Sequence, residues 1–217
     1  FFYPRVTPQV GATLSLSKKQ IIQSANQALQ FLGYSMAGYK PFTSFYQDKD
    51  QIQFLTRTQS IEETHNIMQN NIPVFYWDIK FSKTKKLDLP LSEDAEGEKQ
   101  VVISSDDQTD RPGSFNLRLS TTGDILEIDT PDDAHAPIDS ITVDEARAIA
   151  ESVARRFVGE AFNHYTIQHI ETDSIRTFKW LSDSLAHNEK VGLELMMRGK
   201  QVIYYKHSYM PPDDFES

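Results

Sequence analysis

The chain contains no cysteine in its 217 residues. Disulfides, thiol nucleophiles and thiolate metal sites are therefore excluded, and cysteine usage leaves the compartment open. No apolar run approaches the roughly 20 residues of a membrane-spanning helix, and no signal-peptide pattern is visible. There is no G-x-S-x-G elbow. The six histidines contain no H-E-x-x-H pair, and the nine glycines are too dispersed to form a phosphate loop. A basic excess is also missing, with 22 Lys and Arg against 31 Asp and Glu and a net charge of −9. Divided at Arg111, the first part holds 12 basic and 13 acidic residues and the remainder 10 and 18, so the acidic excess sits in the second half. Neutralising phosphates needs a basic face, so nucleic acid is not an expected partner, and an anionic membrane surface is disfavoured for the same reason.

What is present is an ordinary globular composition, 39% apolar and 24% charged. This length can bury one sizeable core, or two small cores sharing an interface. The clearest local signal is a capped amphipathic helix that occurs twice. In SITVDEARAIAESVARRFV, Thr142 and Glu145 have capping-box spacing; in LSKKQIIQSANQALQFL, Ser17 and Gln20 repeat it. Counting from each cap, Ala146, Ala150, Val153, Ala154 and Phe157 fall at the same offsets as Ile21, Ala25, Ala28, Leu29 and Leu32. Each set makes one narrow apolar stripe whose alanines suit close approach to a sheet.

The likeness continues downstream. TSFYQ, a DKD turn and QIQFLTR read as strand–turn–strand, as do TIQHIET, Asp173-Ser174 and IRTFKWL. Each copy has an aromatic strand with one of the two tryptophans, Trp77 or Trp180. Each closes on a hairpin in which Leu117, Arg118, Leu119 and Gly123 match Leu193, Glu194, Leu195 and Gly199. The strict alternation of Phe75, Trp77, Ile79 and Phe81 is the best strand signal in the chain. The predicted class is α+β, as two tandem repeats of a helix on an antiparallel sheet. Residues 1–16 form an extended lead-in. Residues 17–129 form repeat 1, with insertions around 58–72, partly helical, and around 83–112. An acidic, proline-containing connector spans 130–141, repeat 2 spans 142–209, and a tail spans 210–217.

No catalytic constellation emerges. Asp132, Asp133, His135 and Asp139 cluster in the connector, but without the glycine that a hard-cation loop uses for its bend. They read as a solvated acidic linker, as do Asp106, Asp107 and Asp110. His164 and His169 straddle a change from helix to strand and need not share a face. No metal, cofactor or catalytic residue is therefore assigned. The aromatics remain: Trp77, Trp180, Tyr39 and Tyr165 are the candidate ligand or interface residues, although alternating strands must bury one aromatic face in any case.

With LSLSKKQIIQSANQALQFLGYSMAGYK, VFYWDIKF, SITVDEARAIAESVARRFVG and SYMPPDDF in view, the chain resembles the PepSY-like and cystatin-like helix-plus-sheet repeats. More closely, it looks like the extracytoplasmic region found beside the membrane helices of some bacterial polytopic membrane proteins. These include members of the CAAX-protease and bacteriocin-processing family of intramembrane proteases. That resemblance implies a fragment of a longer protein, consistent with a start at Phe1-Phe2-Tyr3 without Met. It implies an extracytoplasmic location, with the membrane-embedded remainder of the polypeptide as partner. The family's catalytic residues would lie in membrane helices, so none is carried over. The expected function is a non-catalytic sensing, docking or regulatory domain that binds a peptide, a partner segment or a small molecule along a sheet face or edge. The alternatives are an inhibitory or chaperone-like segment for a membrane protease in the same polypeptide, and a soluble hydrolase with a scattered site.

Overall fold

The computed structural model describes residues 15–70, 72–83, 113–131, 141–172, 174–182 and 190–210. The lead-in, the insertion around 83–112, most of the connector and the tail lie largely outside the described residues, and so do residues 100–104, whose sequence QVVIS reads as an extra edge strand. The class is α+β, and it is mostly sheet. In chain order the elements are α1 (Lys18–Phe31), β1 (Tyr39–Gln47), α2 (Lys49–Thr58), α3 (Ile61–Asn70), β2 (Phe75–Lys83), β3 (Phe115–Ser120) and β4 (Ile125–Asp129). There follow α4 (Val143–Val158), a 3-10 turn (Gly159–His164), β5 (Tyr165–Thr172), β6 (Arg176–Ser182), β7 (Lys190–Arg198) and β8 (Gln201–Met210).

Both expected capping boxes form. The Ser17 side chain accepts from the Gln20 N–H while Gln20 reaches back to the Ser17 N–H, and Thr142 and Glu145 do the same. Each box satisfies helix-start donors that have no partner within the helix. The stripes bury as spaced: Ile21, Ala25, Ala28 and Leu29 on α1, and Ala146, Ala150, Val153 and Ala154 on α4. Both join one core with Ile79, Leu117, Ile128, Phe178, Leu195 and Tyr205 from the sheet. The helices touch near their C-terminal ends, where Phe31 and Phe157 meet edge to face at 5.8 Å.

The strands form one sheet in the order β1-β2-β3-β4-β8-β7-β6-β5. All seven ladders are antiparallel. The first four strands and the last four are therefore consecutive meanders joined through their final members. The join consists of Glu127↔Lys206, Ile128↔Tyr205 and Asp129↔Tyr204. It is extended by Thr130, whose N–H and hydroxyl both donate to the Ile203 carbonyl, and by the Tyr34 hydroxyl, which donates to the Val202 carbonyl at 2.6 Å.

Across the face opposite the helices, the register places one residue from each of six strands in a row: Asp78, Arg118, Glu127, Lys206, Glu194 and Lys179. The charges alternate in sign over six strands. Arg118 sits 3.1 Å from Asp78 and 3.3 Å from Glu127, and Lys179 sits 3.0 Å from Glu194. Part-exposed pairs of this kind contribute at most about 1 kcal/mol each. Their larger effect is on register, because a one-residue slip would turn the row toward the core.

One expectation is corrected. QIQFLTR is helical, within α2, and not a strand. Asp48 caps this helix by accepting from the Gln51 N–H at 3.0 Å, and Gln51, Phe54 and Leu55 are buried at helical spacing. The alternating Ile52 and Phe54 suggested a strand, but burial of Phe54 and Leu55 with Ile67, Ile72, Val74 and Phe75 prevails. Both tryptophans lie on strands as expected, Trp77 on β2 and Trp180 on β6, at different ladder positions. Leu119 and Leu195, matched in the closing hairpins, face Trp77 and Phe178 respectively, while Trp180 faces Leu193. The match is therefore displaced by two residues. At the free edge, β1 exposes Phe42 (56%), Phe45 (41%) and Tyr46 (48%). Lys40 and Pro41 blunt the same strand against edge-to-edge pairing.

Candidate ligand cleft

β8 runs four residues past the β4 ladder, which ends at Lys206. Its overhang carries His207 and Tyr209 beside the β3–β4 turn and forms the floor of a cleft of about 620 Å³. Phe157 and Val158 at the end of α4 make one wall. Met68, Ile72 and Pro73, which follow from α3 into β2, make another. Ile125, Leu126 and Val191 add apolar surface from the sheet, and Tyr165, the first residue of β5, closes the far side. The lining thus mixes apolar surface with polar groups, and a cleft with convergent polar groups is a usual form of ligand site.

The polar groups include two hydrogen-bonded sets, beside which His164, Ser182 and Tyr209 also line the cleft. The first is Tyr165 and His207, whose hydroxyl and Nε2 lie 2.9 Å apart. Burial drives the His207 pKa down from 6.5 to about 4, against a weaker upward pull from the Asp124 charge. Burial likewise pushes the Tyr165 phenol well up, helped by Tyr209. Around neutral pH the pair is therefore an uncharged imidazole and an intact phenol sharing one hydrogen. The second set is the β3–β4 turn. The Ser120 hydroxyl donates to Asp124 Oδ2 at 2.9 Å, the Thr122 hydroxyl donates to the same oxygen, and the Asp124 N–H donates to Ser120 Oγ at 3.0 Å. Gly123 permits this turn at φ +95°, and a Cβ there would lie 2.7 Å from Leu16 Cδ1.

These contacts do not constitute a nucleophile and its base. The Ser120 hydroxyl is engaged by a carboxylate, and the imidazole is engaged by a phenol. A histidine whose pKa lies near 4 is also far from the value that suits a general base at neutral pH. Among the described residues no cluster of His, Asp and Glu is arranged to hold a metal ion. No helix in the described residues is long and apolar enough to cross a membrane.

No protein-family model, no curated protein and no solved structure matches the chain.

The four aromatics singled out by sequence lie in different places. Tyr165 lines the cleft. Trp180 is in the core at 3% exposure, stacked on Phe178 at 5.9 Å and edge-on to Phe162 at 5.8 Å. Trp77 is half-buried on β2, facing Leu119 one ladder position from Ser120 and 5.1 Å from Phe45, and its buried indole N–H has no hydrogen-bond partner among the described residues. Tyr39 packs edge-on to Phe115 at 5.2 Å, with the Lys83 ammonium 5.1 Å from its ring. His207 and Asp124, central to the cleft, were not singled out. The S-T-T-G-D composition of residues 120–124 marks a side-chain-bonded turn, but nothing local connects it to β8.

Proposed function

We propose that the chain is a non-catalytic sensing or docking module made of two copies of one helix-on-sheet unit, and that its cleft receives an apolar peptide segment or small molecule. Spacing supports the two copies. Ser17 and Thr142 are 125 positions apart, and so are Ser44 and His169, which face Asp78 and Lys179 in the same row of the sheet. Helix cap and first strand thus keep one frame, and the differences accumulate after β1, where α2 and α3 enter. The setting we propose is the extracytoplasmic face of a bacterial membrane, with the membrane-embedded remainder of the same polypeptide as partner. The resemblance of the helix, tryptophan-strand and hairpin patterns supports this setting.

The observation that carries the binding function is the combination of apolar walls with the uncharged Tyr165–His207 pair. Desolvating a neutral pair costs far less than desolvating a charge, so the cleft can receive an apolar body and still orient it by one hydrogen bond. Methyl NMR during titration with a pool of short apolar peptides tests this reading. Shifts should concentrate on Met68, Ile72, Ile125 and Val191 and disappear in Val191→Trp, which fills the cleft. Shifts confined to other methyls, or cleavage of the peptides, would remove the proposal.

A further inference from the structure

The cleft has a polarity that the proposed function does not use. Its described lining contains one carboxylate, Asp124, and neither Lys nor Arg. Asp124 is exposed at the rim, above the apolar surface of Ile125 and Leu126. Its carboxylate is already oriented: Oδ2 takes both hydroxyl hydrogen bonds from Ser120 and Thr122, and Ser120 is itself buried. No hydrogen bond or ion pair is made to Oδ1 within the described structure. A carboxylate held on one oxygen and open on the other is prepared for a donor arriving from the cleft. The rings of Tyr165, Tyr209 and Phe157 lie in the same lining, and aromatic rings attract a cation that reaches their faces. Beside them Tyr205, edge-on to Phe157 at 5.0 Å, buries a hydroxyl that has no hydrogen-bond partner among the described residues.

We infer that the cleft selects an amphipathic monocation, an aliphatic stem ending in an ammonium group, with the ammonium at Asp124 Oδ1 and the stem against Met68, Ile72 and Val191. The inference rests on the binding reading above and adds the sign of the ligand's charge. A free alkylamine and the lysine of an apolar peptide share this chemistry.

Calorimetric titration of the full chain with hexylammonium, hexanol and hexanoate tests the inference. The three probes share a stem and differ in charge. Hexylammonium should bind about two- to fivefold more tightly than hexanol, the ratio expected of one rim ion pair, and hexanoate more weakly than either. Asp124→Asn should bring hexylammonium to the level of hexanol and leave hexanol unchanged. The ranking of the probes on the unsubstituted chain decides the matter even where that variant folds poorly. Equal affinities for the three probes, or tighter hexanoate, would overturn the inference and leave the apolar cleft standing. Absence of binding by all three would remove the cleft reading as well. A parallel arm with acetyl-Ile-Lys-Leu-amide against acetyl-Ile-Gln-Leu-amide separates the sources. A lysine preference at least as large as that of hexylammonium over hexanol points to a peptide, and a smaller one to a free amine.

Discussion

Replacing Ile128 by alanine should cost about 3–4 kcal/mol of stability, within the range for emptying a buried aliphatic site. Ile128 has no exposed surface and belongs to the common core. It faces Leu117 across one ladder and Tyr205 across the other. A cavity there is bounded by backbone that is hydrogen-bonded on both sides, so it has little freedom to collapse. The site is also where the two meanders meet, and its loss weakens both together. Guanidinium denaturation should therefore show a lowered midpoint and a single transition. Glu127→Ala, one residue away on the opposite face, removes part-exposed ion pairing and should cost no more than about 1 kcal/mol. Equal effects of the two substitutions, or separation into two transitions, would contradict a shared core at the seam.

The second large effect is acid lability centred on His207. Its folded pKa is near 4, against 6.5 for an unperturbed histidine, because burial disfavours the charged ring. Above about pH 6.5 both folded and unfolded forms are neutral at this ring, and its protonation costs nothing. Between about 6.5 and 4 the unfolded chain takes up a proton that the folded chain refuses, so stability falls as pH falls. Across the whole window the loss is about 3 kcal/mol, and below pH 4 this group contributes no further change. His207→Gln should flatten the profile between pH 6.5 and 4.5. Glu145 acts at lower pH and by the opposite route. Hydrogen bonds from Thr142 hold its pKa below 4.5, so its contribution is lost only as pH falls through that depressed value. Denaturation midpoints at pH 7.5, 6, 5 and 4.5 separate the two. An unchanged slope in the variant would show that His207 is not the group responsible.

The parts of the fold legible in sequence are those whose cause is local. A capping box acts over three residues, and Ser17/Gln20 and Thr142/Glu145 are visible because the chemistry is complete within one turn. The alternation of Phe75, Trp77, Ile79 and Phe81 is visible because a half-buried strand imposes period two. α2 was misread where two local patterns overlap. Ile52 and Phe54 alternate, while Gln51, Phe54 and Leu55 are spaced as a helix, and packing against Ile67 and Ile72 decides between them. Both tryptophans lie on strands as read, but only the ladder shows which residue faces Leu119 or Leu195.

The cleft was illegible for a different reason. Tyr165 and His207 are joined by a hydrogen bond across 42 positions. Asp124 reaches their neighbourhood only because β4 and β8 pair. Neither His207 nor Asp124 carries a flanking pattern that distinguishes it from other residues of its type. The alternating charge row is a similar case. Its six members are ordinary surface residues until the registers of five ladders align them.

The pairing of β4 with β8 underlies the continuous sheet, the common core and the cleft alike. Because the chain has no cysteine, a disulfide introduced across that seam forms against no background. Neighbouring strands hold opposed Cα atoms about 4.5–5.5 Å apart, within disulfide reach. Under mild oxidation, Glu127→Cys with Lys206→Cys should cross-link intramolecularly and almost completely. Glu127→Cys with Lys179→Cys, in the same row but three strands apart and so separated by about 14 Å, should remain reduced. Failure of the first pair to close, or equal closure of both, would contradict the seam and with it the continuous sheet.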